Sequence, residues 1–138
     1  MTTYIDSSAL LRLVLGSPGA IPNWRSIEHP VSSVLIEVEC LRTLDRLRLT
    51  ERIADEVIAG RRQLVYGLLS GMDFMEISRV VISRASQPLP VPLRTLDAIH
   101  LATAMIWREA EQDDVQLATH DAALALAARS TGFTVIGV

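Results

Sequence analysis

Short apolar runs alternate along this chain with longer stretches whose apolar residues return every three or four positions. Thr3 to Asp6 reads as a short buried strand, and Ser8 to Leu15 as a helix ended by Gly16-Ser17-Pro18-Gly19. A second short helix is predicted over Ala20 to Ile27, and His29-Pro30-Val31-Ser32 enters a brief strand. Ser33 is expected to cap a helix running to about Leu49, in which Val34, Val38, Leu41 and Leu44 follow helical spacing. Another helix is predicted from Thr50 or Glu51 to about Leu69, weakened at Gly60 and stopped by Ser70-Gly71. Met72 to Ile77 reads as a strand and Ile77 to Ala85 as a short helix. Gln87-Pro88-Leu89-Pro90-Val91-Pro92 is a stiff loop, because each proline fixes its own backbone and removes a donor. It leads to Thr95 as the cap of a long helix ending near Glu111. Val115 to Ala118 is a strand, Asp121 to Thr131 a helix stopped by Gly132, and Phe133 to Ile136 a last strand.

Strands that alternate with helices predict a parallel sheet with helices on both faces. The expected fold is a three-layer α/β/α sandwich around a central parallel sheet of four to five strands, with residues 1–138 as a single domain. A chain of 138 residues can bury a core of that size without disulfides or structural metal. The hydrophobic fraction of 49% against 4% aromatic residues makes that core aliphatic. No apolar run approaches the roughly 20 residues that a membrane helix needs, and no secretory signal opens the chain, so no membrane partner is expected. The single cysteine, Cys40, excludes an internal disulfide and a multi-cysteine zinc site. It sits in a helical pattern and reads as packing, and a reducing cytoplasm is the expected location.

Charge narrows the function classes. The net charge of −3 argues against a general nucleic-acid coat protein. All thirteen basic residues are arginine, and Arg42, Arg46, Arg48, Arg52, Arg61 and Arg62 cluster. One reading is a solvated helix face neighboured by Glu51, Asp55 and Glu56. The other is a strip that grips phosphate, since a guanidinium pairs with phosphate through two bonds.

Four carboxylates change the picture. Asp6 and Asp121 both follow strands, so both fall at the carboxyl rim where open α/β sheets bind ligands. Asp97 stands in the first turn of the long helix, where the helix dipole favours its ionised form. Each has an ordinary explanation as well: Asp6 and Asp121 as helix caps, Asp97 as a dipole partner, Glu39 as a pair for Arg42. Glu39 has no capping role, yet Glu37 is equally acidic, and spacing does not choose between them. Acids gathered at one edge suit hard divalent cations such as Mg²⁺ or Mn²⁺, and such an ion can activate water against a phosphodiester.

Four segments in order resemble the motifs of PIN-domain ribonucleases, and specifically of VapC-type toxins from toxin–antitoxin pairs. Tyr4-Ile5-Asp6-Ser7-Ser8-Ala9-Leu10 with Arg12 is similar to the first motif, and Val31-Ser32-Ser33 followed by Glu39-Cys40-Leu41-Arg42 to the second. Leu93-Arg94-Thr95-Leu96-Asp97-Ala98-Ile99-His100-Leu101-Ala102-Thr103-Ala104 matches the third, the most specific. Ala118-Thr119-His120-Asp121, an Ala-rich helix and Gly132-Phe133-Thr134-Val135 resemble the last. In that register Glu39, not Glu37, takes the acidic position.

The resemblance implies a metal-dependent endoribonuclease. Asp6, Asp97 and Asp121 would bind one or two Mg²⁺ or Mn²⁺ ions, with Glu39 as a ligand or a nearby base. Ser8 and Thr119 would orient Asp6 and Asp121, and Arg12, Arg42 and Arg46 would contact the RNA substrate. His100 reads as a packing or supporting residue rather than a ligand, and His120 as partly exposed and without a role. A cognate VapB-type antitoxin would lie over the helical groove and push an arginine toward the acids, and a homodimer is usual in the family. The helix carrying Leu10, Leu11, Leu13, Val14 and Leu15 is apolar nearly all round, so part of it is expected to face a partner.

Three rivals compete. A response-regulator receiver needs a lysine beside its acid pocket, and the chain has none. A haloacid-dehalogenase phosphatase needs a second Asp two residues after the first, where Ser8 stands. A catalytically inactive PIN-like module that binds RNA or protein is the remaining alternative.

Overall fold

The computed structural model describes residues Met1 to Val138. Its elements are β1 (Thr2–Ile5), α1 (Ser7–Val14), β2 (His29–Ser33), α2 (Leu35–Glu51), α3 (Asp55–Leu69), β3 (Asp73–Met75), α4 (Arg79–Ala85), α5 (Thr95–Glu111), β4 (Val115–Ala118), α6 (Ala122–Ser130) and β5 (Thr134–Ile136). The five strands form one all-parallel sheet in the order β3-β2-β1-β4-β5. The expected α/β/α sandwich is present, with five strands.

Side-chain alternation divides the core. Ile5 and Ala118 face α1, α2 and α3, in a cluster with Ala9, Leu10, Ile36, Cys40, Leu44, Val65 and Leu69. Their strand neighbours Tyr4 and Leu117 face the other way, toward Leu101 and Ala104 of α5 and Leu124, Ala127 and Ala128 of α6. Val81 of α4 packs outside α5 on Ile99 and Ala102. The period-two pattern of β1 and β4 thus assigns each residue to one layer. Small residues do the same for α5: Ala98 to Ala104 is buried without interruption, because alanines let α5 lie between the sheet, α4 and α6.

The strand order reverses direction at β1 and β4, which are neighbours in space but far apart in sequence. Such a switch point leaves a crevice at the carboxyl ends of the two strands. Asp6 follows β1 and Thr119 follows β4 there. The pairing of Ile5 with Ala118 sets both at one level, and the Asp6 amide extends the ladder to the Ala118 carbonyl at 3.1 Å.

Several boundaries differ from the sequence reading. The helix expected over Ala20 to Ile27 is only a short 3-10 turn over Trp24–Ser26. Leu11 and Leu15 of α1 pack on the same cluster as Ile21, Trp24 and Ile27, so the chain itself covers flanks expected to face a partner. α2 runs on to Glu51 and breaks where Arg52 turns left-handed at φ 50°, so α3 starts at Asp55. α3 continues through Gly60. α4 starts at Arg79 with Ser78 as its cap, after a three-residue β3. Arg94 and Val34, rather than Thr95 and Ser33, occupy the cap positions of α5 and α2, neither with a side-chain cap bond. The Ser33 hydroxyl still accepts the Leu35 amide at 3.1 Å.

Candidate active site

Asp6 is the most enclosed acid, 2% exposed. It caps α1, its Oδ1 accepting the Ala9 amide at 3.0 Å. The Ser8 hydroxyl lies 2.7 Å from Oδ1 and 2.9 Å from Oδ2, and the Thr119 hydroxyl donates to Oδ2 at 2.7 Å. Burial pushes the Asp6 pKa up, and the bonds from Thr119, Ala9 and Ser8 pull against that rise. Ser8 Oγ also accepts the His120 amide at 2.8 Å, and Thr119 Oγ1 the Asp121 amide at 3.0 Å. Two hydroxyls therefore lace the end of β1 to the turn after β4.

Asp121 caps α6, with Oδ1 accepting the Leu124 amide at 2.8 Å. Asp97 stands in the first turn of α5 and is half-buried, and its carboxylate has no hydrogen-bond donor to hold it. Its pKa is raised to about 6, first by burial and then by the charges of Asp121, Asp6 and Glu39, with His100 opposing. The charges of the other three acids therefore all reach Asp97. No three His, Cys, Asp or Glu side chains converge as a ready metal cluster. Both oxygens of Asp6 are engaged by donors, and one oxygen of Asp121 is engaged as a cap.

Glu39 projects from α2 and is held at both oxygens. The Ser7 hydroxyl donates to Oε2 at 3.2 Å, and His100 Nε2 lies 2.5 Å from Oε1. Glu39 also lines a cleft of about 370 Å³ with Ser7, Val38, Arg42, Arg46 and Leu96. Glu37 is exposed and lines a different depression with Val34, Leu69 and Phe74. Arg42 does not pair with Glu39; it reaches Asp45 at 3.5 Å. Arg12 is not among the residues of this cleft and extends instead to the loop at Gly19.

The other candidates separate cleanly. Cys40 is fully buried in the core, its thiol pushed up to about 12 by burial and by the charges of Glu39 and Asp6, which makes it inert. His120, read as partly exposed and without a role, has both ring nitrogens shut off from solvent and unpaired. Its ring packs on Gly137, whose φ is +101° and which approaches the Thr119 carbonyl so closely that a Cβ would lie 2.4 Å from it. Two site residues were not legible beforehand. Ser7 stood in the first motif with no role of its own, and Tyr4, whose hydroxyl lies 2.7 Å from His100 Nδ1, only in a buried strand. Tyr4's place in the strand alternation, facing α5, is the signal that could have found it.

Comparison with known proteins agrees with this geometry. The family model described as PIN domain matches residues 3–130. The chain is 36% identical over 137 residues to Ribonuclease VapC46 of Mycobacterium tuberculosis (strain ATCC 25618 / H37Rv), covering 96% of this chain and 95% of that protein. It is 30% identical over 132 residues to Ribonuclease VapC47 of Mycobacterium tuberculosis (strain CDC 1551 / Oshkosh), covering 94% and 92%. A solved toxin–antitoxin complex from Klebsiella pneumoniae shares the fold, with a TM-score of 0.68 and 18% identity over 99% of this chain and 98% of that one. A carboxylate crevice at the switch point of a parallel sheet, in a chain matched nearly end to end, makes this protein a member of the PIN domain family, in its VapC-type branch.

Proposed function

We propose that the protein is an endoribonuclease toxin that hydrolyses RNA phosphodiester bonds with Mg²⁺ or Mn²⁺. The observation that carries this reading is the hydroxyl link that ties Asp6 to the Thr119–Asp121 turn at the switch point, beside an Asp97 whose pKa is raised to about 6 by burial and then by three other carboxylates. Acids that raise one another's pKa, with no lysine or arginine paired to Asp6, Asp97 or Asp121 and only His100 opposing, are a receptor for a cation. The all-oxygen donor set fits a hard divalent ion, and Asp6, Asp97 and Asp121 would hold it. When bound, the ion supplies Lewis-acid polarisation of the phosphate and lowers the pKa of water.

The residues of the chain do the rest. Ser8 and Thr119 fix the Asp6 carboxylate. Glu39, held at both oxygens and lining the cleft, would take the proton of the attacking water. Arg42 and Arg46 line the same cleft and would grip the phosphates of the RNA on either side of the cut bond. A cognate VapB-type antitoxin would silence the enzyme by covering this cleft, and the active form would be a homodimer. The names of the relatives and of the structural neighbour support the antitoxin.

Purified protein, freed of any antitoxin, is expected to cut RNA with Mg²⁺ or Mn²⁺ and to stop when a chelator is added. Asp6→Asn or Asp97→Asn should abolish cutting while leaving the circular-dichroism spectrum intact. Cutting by either variant at the wild-type rate would show the roles to be wrong. A wild-type protein that binds RNA but cuts none would overturn the enzymatic reading.

A further inference from the structure

A polar chain runs from the core to the rim through residues far apart in sequence. Tyr4 is fully buried, and His100 on α5 is 1% exposed. Tyr4 Oη and His100 Nδ1 are 2.7 Å apart, with the rings edge to face at 5.8 Å between centroids. On its other side His100 meets Glu39 Oε1, and Ser7 meets Glu39 Oε2. The chain therefore begins in a buried strand, crosses a helix that packs on the sheet, and ends on a carboxylate open to the cleft.

Both ring nitrogens of His100 have assigned work. An ionised carboxylate only accepts, so the bond to Glu39 requires the proton on Nε2. A buried tyrosine hydroxyl needs an acceptor, and His100 Nδ1 supplies it. With Tyr4 donating to Nδ1 and an ionised Glu39 accepting from Nε2, a neutral imidazole carries its proton on Nε2.

We propose that Tyr4 and His100 form a positioning relay that fixes the orientation of the Glu39 carboxylate for the cleavage step. His100 joins a core hydroxyl on one side to the rim carboxylate on the other. The Glu39 carboxylate takes its hydrogen bonds from Ser7 and His100, both outside its own helix. The relay also explains physically why Glu39, and not the exposed Glu37 two residues earlier, takes the acidic role: only Glu39 faces His100. This inference rests on the ribonuclease reading for its kinetic consequence, and on hydrogen-bond geometry alone for the tautomer.

The test uses the full-length protein. ¹⁵N-detected NMR of the imidazole should show His100 protonated at Nε2 and unprotonated at Nδ1, with the Nδ1 resonance moving in Tyr4→Phe and the Nε2 resonance in Glu39→Gln. In RNA cleavage, His100→Ala should lower kcat by about 10- to 100-fold with little change in KM, the range seen when supporting residues around an active centre are lost. His100→Gln returns an N–H donor close to the Nε2 position and should recover most of the loss. If His100→Ala fails to fold, His100→Gln and Tyr4→Phe carry the comparison: Gln, which keeps an N–H donor to Glu39, should retain most of the activity, and Tyr4→Phe, which leaves the His100 tautomer unset, should lose part of it. A histidine protonated at Nδ1 alone, or a folded His100→Ala that cuts like the wild type, overturns the relay, as does a folded Gln variant no better than Ala. If the wild type cuts no RNA, the ribonuclease reading falls, and the response of the Nε2 resonance to Glu39→Gln alone decides whether the relay stands.

Discussion

Replacing Asp97 with asparagine should make the metal-free protein more stable at neutral pH while destroying its activity. The carboxyl pKa rises from 3.8 to about 6 in the fold. One unit corresponds to about 1.36 kcal/mol, so roughly two units set an upper bound of about 3 kcal/mol on the strain that the ionised group imposes. Asp97 is only half-buried, and solvent screening reduces this to an expected gain of about 1–2 kcal/mol. The folded state binds the proton more tightly than the unfolded chain. The Asp97 carboxyl therefore burdens the fold increasingly as pH rises from 3.8 through about 6, and not below. Asn, a neutral isostere, carries no such burden at any pH. Thermal unfolding in chelator at pH 7.5 should place Asp97→Asn roughly 5 °C above the wild type, and the gap should close at pH 4. Millimolar Mg²⁺ or Mn²⁺ should narrow the gap at pH 7.5 by stabilising the wild type selectively. A variant no more stable than the wild type at pH 7.5, or equally ahead at both pH values, would refute the account of converging charge.

Three further outcomes follow from individual contacts. Gly137→Ala should cost about 1–3 kcal/mol in urea unfolding, because φ is +101° and the new Cβ would meet the Thr119 carbonyl at 2.4 Å; unchanged stability would mean that the loop yields freely. Ser8→Ala should cost about 1–3 kcal/mol, since the His120 amide loses its acceptor and Asp6 a donor to both oxygens, and denaturant titration will read the loss. The double change Arg42→Ala with Arg46→Ala should weaken RNA binding and flatten its logarithmic salt dependence by roughly 1.4, two contacts at about 0.7 each for single strands. An unchanged slope would remove these arginines from the RNA path.

Most of the sheet was legible because β1 and β4 carry the two-residue alternation and lie between clear turn residues. The long α5 was legible because its apolar and small residues extend over several turns. The end of α2 was legible to within two residues, but its form was not: the chain reverses at Arg52 in a left-handed conformation without glycine, proline or asparagine to mark it. Gly60 looked like a weak point but lies on a face where a Cβ would meet nothing within 4 Å, so helix packing elsewhere decides. In place of the helix expected over Ala20 to Ile27, Ile21, Trp24 and Ile27 pack individually against the core cluster shared by β1, α1, α2 and α3, and that packing does not require helical geometry. At the site, the acids were visible as residue types at strand and helix ends. The links from Ser7 and His100 to Glu39 were not, since those bonds join positions 32 and 61 apart in the chain, a distance that local periodicity does not report.

The seat of Asp6 lies in the middle of the sheet, where β1 is paired on both sides. Edge strands can fray locally, but separating β1 from β4 takes most of the fold with it, so this carboxylate shares the protection of the most slowly exchanging amides. A centre built this way has no low-energy open state of its own in which to rest. Silencing it by loosening the sheet would cost most of the fold, whereas an occupant of the crevice would cost none of it.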